Sequence, residues 1–460
     1  MKEINISKDI FRAYDIRGIW EKDLNEDVSY LIGKGIGTIL KGLNKQTTIV
    51  GYDNRESSKI IKNYLIDGIL STGINVVNIG LVTTPMCYFA ADLLKVKSYI
   101  MITASHNPKE YNGFKVSYNG KYNTFGDGIS KIYDVIEKGD FNEGQGELII
   151  NKSVRGEYFN LITSSINLGS KPLKIVYDCG NGTTSIIAEQ IFNAFDIDEI
   201  GLYDTSDPNF PNHHPDPSVE KNMEDLKKKV LEEKADIGVA FDGDGDRVGV
   251  VDDRGRMIDI DNLMIIVWYF IKDKVSPRKG LFDVKCTKAL DEALVNYGIE
   301  PICYRTGNSF MREKMVTDKI PFGGELSGHL FFQDRWPGYD DGIYAALRII
   351  EILSNTDIKL SKMHDYVKKY YNTRELKLTV KESQKDAIIS GVIDYALNRK
   401  YRISTIDGVK IIFKDGFALI RPSNTGPNLT MRYEGKSKHR LKKIQKEFTN
   451  ILNDIINKIS

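Results

Sequence analysis

The sequence predicts an α/β protein built from three similar mixed α/β domains and a C-terminal α+β domain. Three segments, at 48–53, 174–178 and 280–283, start with the same pattern, a short apolar strand that ends in aspartate. Continuous apolar runs of this length are typical of strands buried on both faces, as in parallel sheets. A helix-length stretch and a second apolar strand follow each of them. An internal triplication of βαβ-type units explains this repetition.

The second strand of each repeat ends in a polar, glycine-rich loop. These loops are Thr103–Pro108, Asp242–Arg247 and Gly323–His329. Open α/β sheets bind their ligands at the carboxyl ends of the strands. We therefore expect the three loops to face one shared cleft, with four domains arranged around it.

The C-terminal part of the chain has a different pattern. From about residue 373 it shows alternating strand candidates at 409–413, 417–420 and 428–433, and an amphipathic helix begins at about Lys438. Such a pattern is typical of a small α+β domain with antiparallel hairpins. The predicted domain limits are 1–150, 151–256, 257–370 and 371–460.

Composition favours a small-molecule partner. The 460 residues contain 64 Lys+Arg and 63 Asp+Glu, a formal net charge of +1. A protein that binds nucleic acid or an anionic membrane would usually carry a basic excess, so we expect neither partner.

The longest apolar run, Leu263–Ile271, is too short to span a bilayer. The N-terminal residues lack the apolar core of a signal peptide, and four scattered cysteines favour buried thiols in a reducing compartment, so we expect a cytoplasmic protein.

The run Asp242-Gly243-Asp244-Gly245-Asp246 places three carboxylates at alternate positions, followed by Arg247. Three like charges so close together repel one another, and a bound cation relieves this repulsion. Hard oxygen ligands favour Mg²⁺ or Ca²⁺ as that cation. An EF-hand loop is disfavoured, because Arg247 stands where its sharp turn needs glycine. Three ligands leave a six-coordinate cation open to water or a phosphate, an arrangement that suits phosphoryl chemistry.

Two further loops carry candidate reactive or binding groups. Ser105 is a candidate nucleophile, although a hydrolase triad is disfavoured because no G-x-S-x-G elbow is present. Glu325, Ser327 and His329 occupy alternate positions, so the sequence predicts that they point the same way. Glutamate and serine can bind sugar hydroxyls, and the histidine can supply a proton. An ordinary turn is the alternative interpretation for either string.

The string that starts at Arg421 predicts a phosphate cradle. It joins the arginine to Ser423, Asn424 and Thr425 and to free backbone amides, although an ordinary hairpin loop would have a similar composition. The glycines of 33–37 lie in a helical pattern without a preceding strand, so we reject a dinucleotide-binding fingerprint.

In this order, the strings T-A-S-H-N-P, D-G-D-G-D-R, G-G-E-L-S-G-H and R-P-S-N-T-G-P resemble the α-D-phosphohexomutase superfamily over essentially the whole chain. The resemblance is closest to its bacterial phosphomannomutase/phosphoglucomutase branch. F-R-A-Y-D-I-R-G at 11–18, H-H-P-D-P at 213–217 and D-V-K at 283–285 agree with it. Two positions depart from relatives. Leu326 stands where phosphoglucosamine mutases usually have glutamine, and Asn308 where many dual-specificity relatives have histidine.

The resemblance implies interconversion of hexose 1-phosphate and hexose 6-phosphate, of mannose and/or glucose, through a hexose 1,6-bisphosphate that also acts as activator. Ser105 would be a phosphoserine whose phosphate completes the shell of one Mg²⁺ held by Asp242, Asp244 and Asp246. The implied catalytic residues are Ser105, Lys115, Arg17, His329 and Arg247. The implied residues for binding the sugar phosphate are Tyr14, Lys285, Asn308, Glu325, Ser327, Arg421, Ser423, Asn424 and Thr425.

Other functions stay open at this point. A phosphoglucosamine mutase would share the fold and mechanism but take a different sugar. A Mg²⁺-dependent sugar-bisphosphate phosphatase would transfer the phosphoryl group to water instead of a sugar hydroxyl. A metal-stabilised sugar-phosphate sensor without turnover is the third alternative.

Overall fold

The computed structural model describes residues 6–423 and 428–459. Asn424 and Thr425 of the predicted phosphate cradle lie outside the described residues. The chain divides into two units. The first consists of Met1–Ile258, Arg312–Lys319 and Ser327–Met363, and the second consists of Asp259–Met311, Ile320–Leu326 and His364–Ser460.

The first sheet lies in the first unit and has six strands in the order β1-β5-β4-β2-β3-β6. Its elements are β1 (Ile16–Ile19), α1 (Glu26–Gly42), β2 (Thr47–Tyr52), α2 (Glu56–Leu70), β3 (Asn75–Leu81), α3 (Thr84–Leu93), β4 (Tyr99–Ile102), β5 (Tyr111–Ser117), α4 (Asp127–Lys138) and β6 (Leu148–Ile150). Strand β2 pairs in parallel with β3 and β4, whereas β5 is antiparallel to β1 and β4. Apolar side chains of α1, α2 and α4 pack on the sheet in one core.

The second sheet, also in the first unit, has the order β11-β10-β9-β7-β8. Its elements are α5 (Val154–Ser164), β7 (Lys174–Asp178), α6 (Ala188–Phe192), β8 (Asp198–Leu202), α7 (Glu224–Glu233), β9 (Ile237–Phe241), β10 (Val248–Asp252) and β11 (Met257–Ile258). Strand β7 is parallel to β8 and β9, and β10 turns back antiparallel to β9.

A third set of elements follows in the chain. These are α8 (Ile260–Ile271), β12 (Lys279–Asp283), α9 (Lys288–Asn296), β13 (Glu300–Tyr304), α10 (Asn308–Asp318), β14 (Phe322–Gly324), β15 (Leu330–Phe332), α11 (Gly342–Ser354) and α12 (Leu360–Tyr366). In the second unit, β12 pairs in parallel with both β13 and β14.

The fourth sheet is antiparallel and lies in the second unit, in the order β16-β21-β20-β19-β18, with β17 also paired to β21. Its elements are β16 (Tyr371–Asn372), β17 (Leu376–Thr379), α13 (Lys385–Asn398), β18 (Arg402–Ser404), β19 (Val409–Phe413), β20 (Gly416–Pro422), β21 (Asn428–Gly435) and α14 (Lys438–Ile459). Helices α13 and α14 pack with the sheet in a common core. Short 3-10 helices cover Lys8–Ile10, Thr183–Ile186, Glu220–Met223 and Glu382–Gln384.

The predicted repetition is confirmed by strand pairing. In each of the first three sheets the strand that ends in aspartate is parallel to the strand that leads into a candidate loop, as β2 with β4, β7 with β9 and β12 with β14. The C-terminal hairpins and the helix from Lys438 are also where the sequence predicts them. The predicted fold class, three mixed α/β domains and an α+β domain, is therefore correct.

The longest apolar run forms α8, a helix of 12 residues with most side chains buried. Among the described residues, no helix is both long enough and apolar enough to cross a membrane. Cys87, Cys179 and Cys286 are buried thiols, as predicted. The expectation is wrong for Cys303, which is only half-buried because β13 is the edge strand of its sheet.

Glycines of α1 and α2 allow these helices to approach closely. An ideal Cβ atom on Gly33 would lie 2.3 Å from the backbone oxygen of Leu65, and one on Gly68 would lie 2.2 Å from that of Tyr30. Real Cβ atoms do not occur at such distances, because interiors are already close-packed. The glycines of 33–37 thus serve helix packing, in agreement with the rejected nucleotide-binding interpretation.

Replacement of Gly33 by alanine is expected to lower the free energy of unfolding by about 1–3 kcal/mol, since the added methyl group must push α2 away. Gly42→Ala is the matched control, because nothing lies within 4 Å of a Cβ at that end of the same helix. It should leave stability unchanged or slightly higher. Chemical denaturation of both variants measures the difference, and equal stabilities would contradict the packing explanation.

Candidate active site

Three buried carboxylates form the centre of the site in the first unit. Asp242, Asp244 and Asp246 follow β9, and none of the three is exposed to solvent. One oxygen of each lies within 4.8 Å of those of the other two. Gly245 has a φ of +80°, a left-handed conformation that glycine adopts without strain and that closes the turn. The alternating sequence therefore does bring three like charges together away from water.

Lys115 on β5 is the main cationic partner of this cluster. Its Nζ atom lies 2.7 Å from Asp244 Oδ2 and 2.5 Å from Asp246 Oδ2. Burial alone would lower the pKa of the Lys115 ammonium, but the two carboxylates raise it well above its usual value. The side chain is consequently a fixed positive charge in this arrangement. The pKa of Asp242 is raised, first by burial and then by the charges of Asp246 and Asp244.

Ser105 follows β4 and lies against the carboxylate cluster. Its Oγ atom donates a hydrogen bond of 2.9 Å to Asp242 Oδ2, and the Nδ1 atom of His106 is 3.1 Å away. Only 2 % of Ser105 is exposed. The loop of the first repeat and the loop of the second repeat thus meet at this hydroxyl, as expected from their equivalent positions at strand ends.

The donor set fits a divalent cation. The Oδ1 atoms of Asp244 and Asp246 are buried and accept no hydrogen bond from any residue that the structure describes. Arg247 is a second nearby cation, with its Nε atom 3.7 Å from Asp242 Oδ2. Lys115 and Arg247 together offset only two of the three negative charges. Buried carboxylate oxygens with excess negative charge are typical ligands of hard cations such as Mg²⁺, so this cluster could bind a metal ion.

His329 is held by contacts at both of its ring nitrogens. Arg247 Nε donates to His329 Nε2 at 2.9 Å, and His329 Nδ1 lies 2.6 Å from Asp340 Oδ2. An arginine Nε can only donate, so Nε2 is the acceptor and the neutral ring carries its proton on Nδ1, the nitrogen next to Asp340. The imidazole therefore lies between Arg247, which directly follows the three aspartates, and the buried carboxylate of Asp340.

Glu325, Ser327 and His329 do not alternate along an extended strand. Residues 326–328 form a turn, and Gly328 has a φ of +106°. A side-chain period of two applies only to extended backbone. Ser327 is half-buried within this turn, and His329 follows it in the first unit.

Arg17 of β1 contacts the Ser105 loop. Its Nη1 atom donates to Asn107 Oδ1 at 2.8 Å, and its Nη2 atom donates to Asp15 Oδ2 at 2.5 Å. Arg17 is 8 % exposed, so it is a largely buried charge beside the candidate nucleophile. Tyr14 lies half-buried in the segment before β1.

The described candidates of the second unit are also held by polar partners. Lys285 Nζ lies 2.9 Å from a carboxylate oxygen of Glu375, and Glu325 Oε1 accepts from the backbone N of Gly307 at 2.6 Å. Burial would lower the pKa of the Lys285 ammonium, but Glu375, then Asp283 and Glu325, raise it above its usual value. The remaining described candidates of this unit are Asn308 at the start of α10, Arg421 of β20 and Ser423 after it.

Comparison with known families decides the relationship. Phosphoglucomutase/phosphomannomutase alpha/beta/alpha domains I, II and III match residues 8–143, 156–255 and 259–370. The C-terminal domain of the same family matches residues 375–451. The chain belongs to the phosphoglucomutase/phosphomannomutase family. The superfamily resemblance predicted from the four motifs is confirmed.

Relatives within this family cover nearly the whole chain. A phosphomannomutase/phosphoglucomutase of Pseudomonas aeruginosa is 41 % identical over 446 residues, which is 96 % of this chain and 95 % of the relative. A phosphoglucomutase of Neisseria meningitidis is 37 % identical and covers 97 % of both. The crystal structure of a phosphoglucomutase/phosphomannomutase family protein from Burkholderia thailandensis superposes with a TM-score of 0.90, at 36 % identity and 98 % coverage of both chains.

Sequence reasoning missed three residues of this candidate site. Asp340 contacts His329, as described above. Thr84 at the start of α3 donates through Oγ1 to Asp244 Oδ2 at 2.5 Å. Arg55, 1 % exposed, lies two residues beyond the first repeated strand-end aspartate, Asp53. That short Asp-x-Arg spacing was the only available signal for any of the three.

Arg55 holds the loop that carries Ser105. It donates to four backbone oxygens, those of Ser105, Asn107, Pro108 and Tyr111, at 2.6–3.1 Å. Its Nε atom is 3.2 Å from Asp53 Oδ2. A planar guanidinium with five donors can satisfy all these acceptors at once, which an ammonium cannot do. Arg55 thus orders the loop without contacting the hydroxyl.

The substitution Arg55→Lys is expected to loosen this loop, because buried carbonyl oxygens lose their donors at about 1–3 kcal/mol for each group left unsatisfied. Amide hydrogen exchange should become faster across 104–111. Arg155→Lys is the control, since Arg155 donates to a single carbonyl, that of Leu81, at an exposed site. Unchanged exchange in the Arg55 variant would show that other contacts fix the loop.

Proposed function

We propose that the chain interconverts hexose 1-phosphate and hexose 6-phosphate, of mannose and/or glucose, by phosphoryl transfer through a phosphoserine at Ser105. The carrying observation is the hydrogen bond of 2.9 Å between Ser105 Oγ and Asp242, inside a buried cluster that also holds Lys115. The names of the relatives in Pseudomonas aeruginosa and Neisseria meningitidis support the same reaction.

In the proposed reaction a sugar hydroxyl oxygen attacks the phosphorus atom carried on Ser105, and the bond between phosphorus and Oγ breaks. The product is a hexose 1,6-bisphosphate, which turns about and returns its other phosphate to Ser105. Lys115, Arg17 and Arg247 stabilise the phosphoryl charge, because lysine paired with two carboxylates and arginine both stay protonated. His329 is the proposed group that exchanges the proton of the sugar hydroxyl, which requires that Arg247 Nε first release the Nε2 atom of the imidazole.

One Mg²⁺ per chain is the proposed metal, held by Asp242, Asp244, Asp246 and the group carried on Ser105. When bound, it neutralises negative charge at the phosphoryl group, which a hydroxyl oxygen can then approach. The protein residues supply orientation and a site that is closed to bulk water, since catalysis of phosphoryl transfer depends on positioning and electrostatics.

The proposed substrate contacts come from residues that follow the family motifs. Cationic and small polar side chains would bind the phosphate of the hexose phosphate that is not transferred. Glu325 and Ser327 would bind hydroxyls of the sugar ring. The phosphate-binding set is Tyr14, Lys285, Arg421, Ser423, Asn424 and Thr425, with Asn308 as an additional substrate contact. We also propose the cytoplasm as the location and keep 1–150, 151–256, 257–370 and 371–460 as domain limits.

Intact mass spectrometry tests the carrier role of Ser105. Incubation with excess glucose 1,6-bisphosphate should add one phosphate group to the chain, and Ser105→Ala should abolish both this gain and isomerisation. Ser130→Ala is a matched control at an exposed serine of α4 and should behave as the native chain does. Full isomerase activity in Ser105→Ala would falsify the mechanism.

Removal of divalent cations should stop isomerisation, and Mg²⁺ should restore it. A ligand that binds only the folded state raises the melting temperature, so Mg²⁺ is expected to stabilise the native chain. The variant Asp246→Asn should lose most of this stabilisation, because one of three charged ligands is replaced by an amide. Equal Mg²⁺-induced shifts in both proteins would place the cation elsewhere.

A further inference from the structure

The turn between β18 and β19 carries an aspartate that contacts two other segments of the second unit. The Oδ2 atom of Asp407 accepts a hydrogen bond from Arg421 Nε at 2.9 Å and another from the backbone N of Thr306 at 3.0 Å. The side chains of Arg421 and Asp407 are only 9 % and 12 % exposed. Solvent therefore screens this ion pair much less than it screens a surface pair.

The backbone of the turn is packed directly on the arginine. Gly408 has a φ of +72°, and a Cβ atom there would lie 2.5 Å from both the Cα atom of Arg421 and the backbone oxygen of Ile420. Only glycine fits such a close approach at positive φ. The main chain that carries Asp407 is thus held close to the main chain of Arg421.

The other end of the contact reaches the loop before α10. Thr306 Oγ1 donates to Asp283 Oδ2 at 3.0 Å, and the next backbone N, that of Gly307, donates to Glu325 Oε1 at 2.6 Å. Asp407 therefore contacts both Arg421 and the loop before α10. The same loop holds Glu325, the residue proposed to bind sugar hydroxyls, through the backbone N of Gly307.

We propose that Asp407 is a positioning residue for substrate, an inference that rests on the proposed function. By accepting from Nε, it fixes the plane of the Arg421 guanidinium that binds the non-reacting phosphate of a hexose phosphate. By accepting from Thr306 N, it holds that guanidinium at a fixed position relative to Glu325. Asp407 itself contacts neither the phosphate nor the sugar.

Positioning and simple charge predict opposite results. Asp407 is an anion beside a site for an anion, so on charge alone its removal would strengthen the binding of a phosphate. If it positions Arg421, its removal weakens binding, because the guanidinium must then be ordered when the ligand arrives. The sign of the change therefore separates the two roles.

The test compares Asp407→Ala and Asp407→Asn with the native chain in glucose 1-phosphate turnover, at saturating glucose 1,6-bisphosphate. The alanine variant should raise KM by about tenfold with little change in kcat, as expected for the loss of one charge-assisted contact. The asparagine keeps an acceptor oxygen but no charge, so its KM should rise by only about threefold. In an Arg421→Ala background, Asp407→Ala should add little, since contacting residues are not additive.

Asp415→Ala is the matched control. Asp415 Oδ1 lies 3.0 Å from Arg440 Nε, so the same type of pair is lost at the other end of the β19–β20 hairpin. Its KM should equal that of the native chain. Calorimetric binding of glucose 6-phosphate is measured in all variants, because it reports on Asp407 without requiring turnover.

The outcomes separate this inference from the proposed function. Weaker glucose 6-phosphate binding in the Asp407 variants, with Asp415→Ala unchanged, supports the positioning role even if no isomerisation is found. A native chain that isomerises, together with Asp407 variants whose KM and affinity equal or improve on native values, overturns it while the proposed function stands. Should Asp407→Ala fail to fold, the Asp407→Asn comparison decides by the same criteria.

Discussion

The burial of three carboxylates within one short loop is the constraint on which the first unit depends. Asp242, Asp244 and Asp246 are removed from water, and burying a charge without partners is costly. Lys115 and Arg247 offset part of the charge, and two oxygens remain without hydrogen bonds from the described residues. The loop could thus bind a cation, and the hydroxyl of Ser105 lies against it through its hydrogen bond to Asp242.

The candidate residues of the two units differ in the sign of their main charged groups. In the first unit the negative groups outnumber the cations that contact them, which suits a metal ion. In the second unit, Lys285 and Arg421 are each held by a carboxylate, that of Glu375 or Asp407. Cations that are already oriented lose less side-chain freedom when an anionic ligand binds.

Much of this architecture could be predicted because short local sequence patterns indicate it. Strand-end aspartates and alternating Asp-Gly residues are visible within a few positions, and the parallel pairing of β2 with β4 and β7 with β9 brings their loops to the same edge. The contacts of Arg55 could not be predicted in the same way. They join residues about 50 positions apart, and an arginine that holds a loop looks like any other arginine in sequence.

The backbone of the candidate carrier has a consequence for the choice of amino acid. Ser105 has a φ of +51°, in the left-handed region that is unfavourable for residues with a branched β-carbon. Threonine offers the same nucleophilic oxygen, but its extra methyl group would be added in a nearly closed space at a strained residue. Main-chain conformation thus disfavours threonine at this position, although its hydroxyl is chemically equivalent to that of serine.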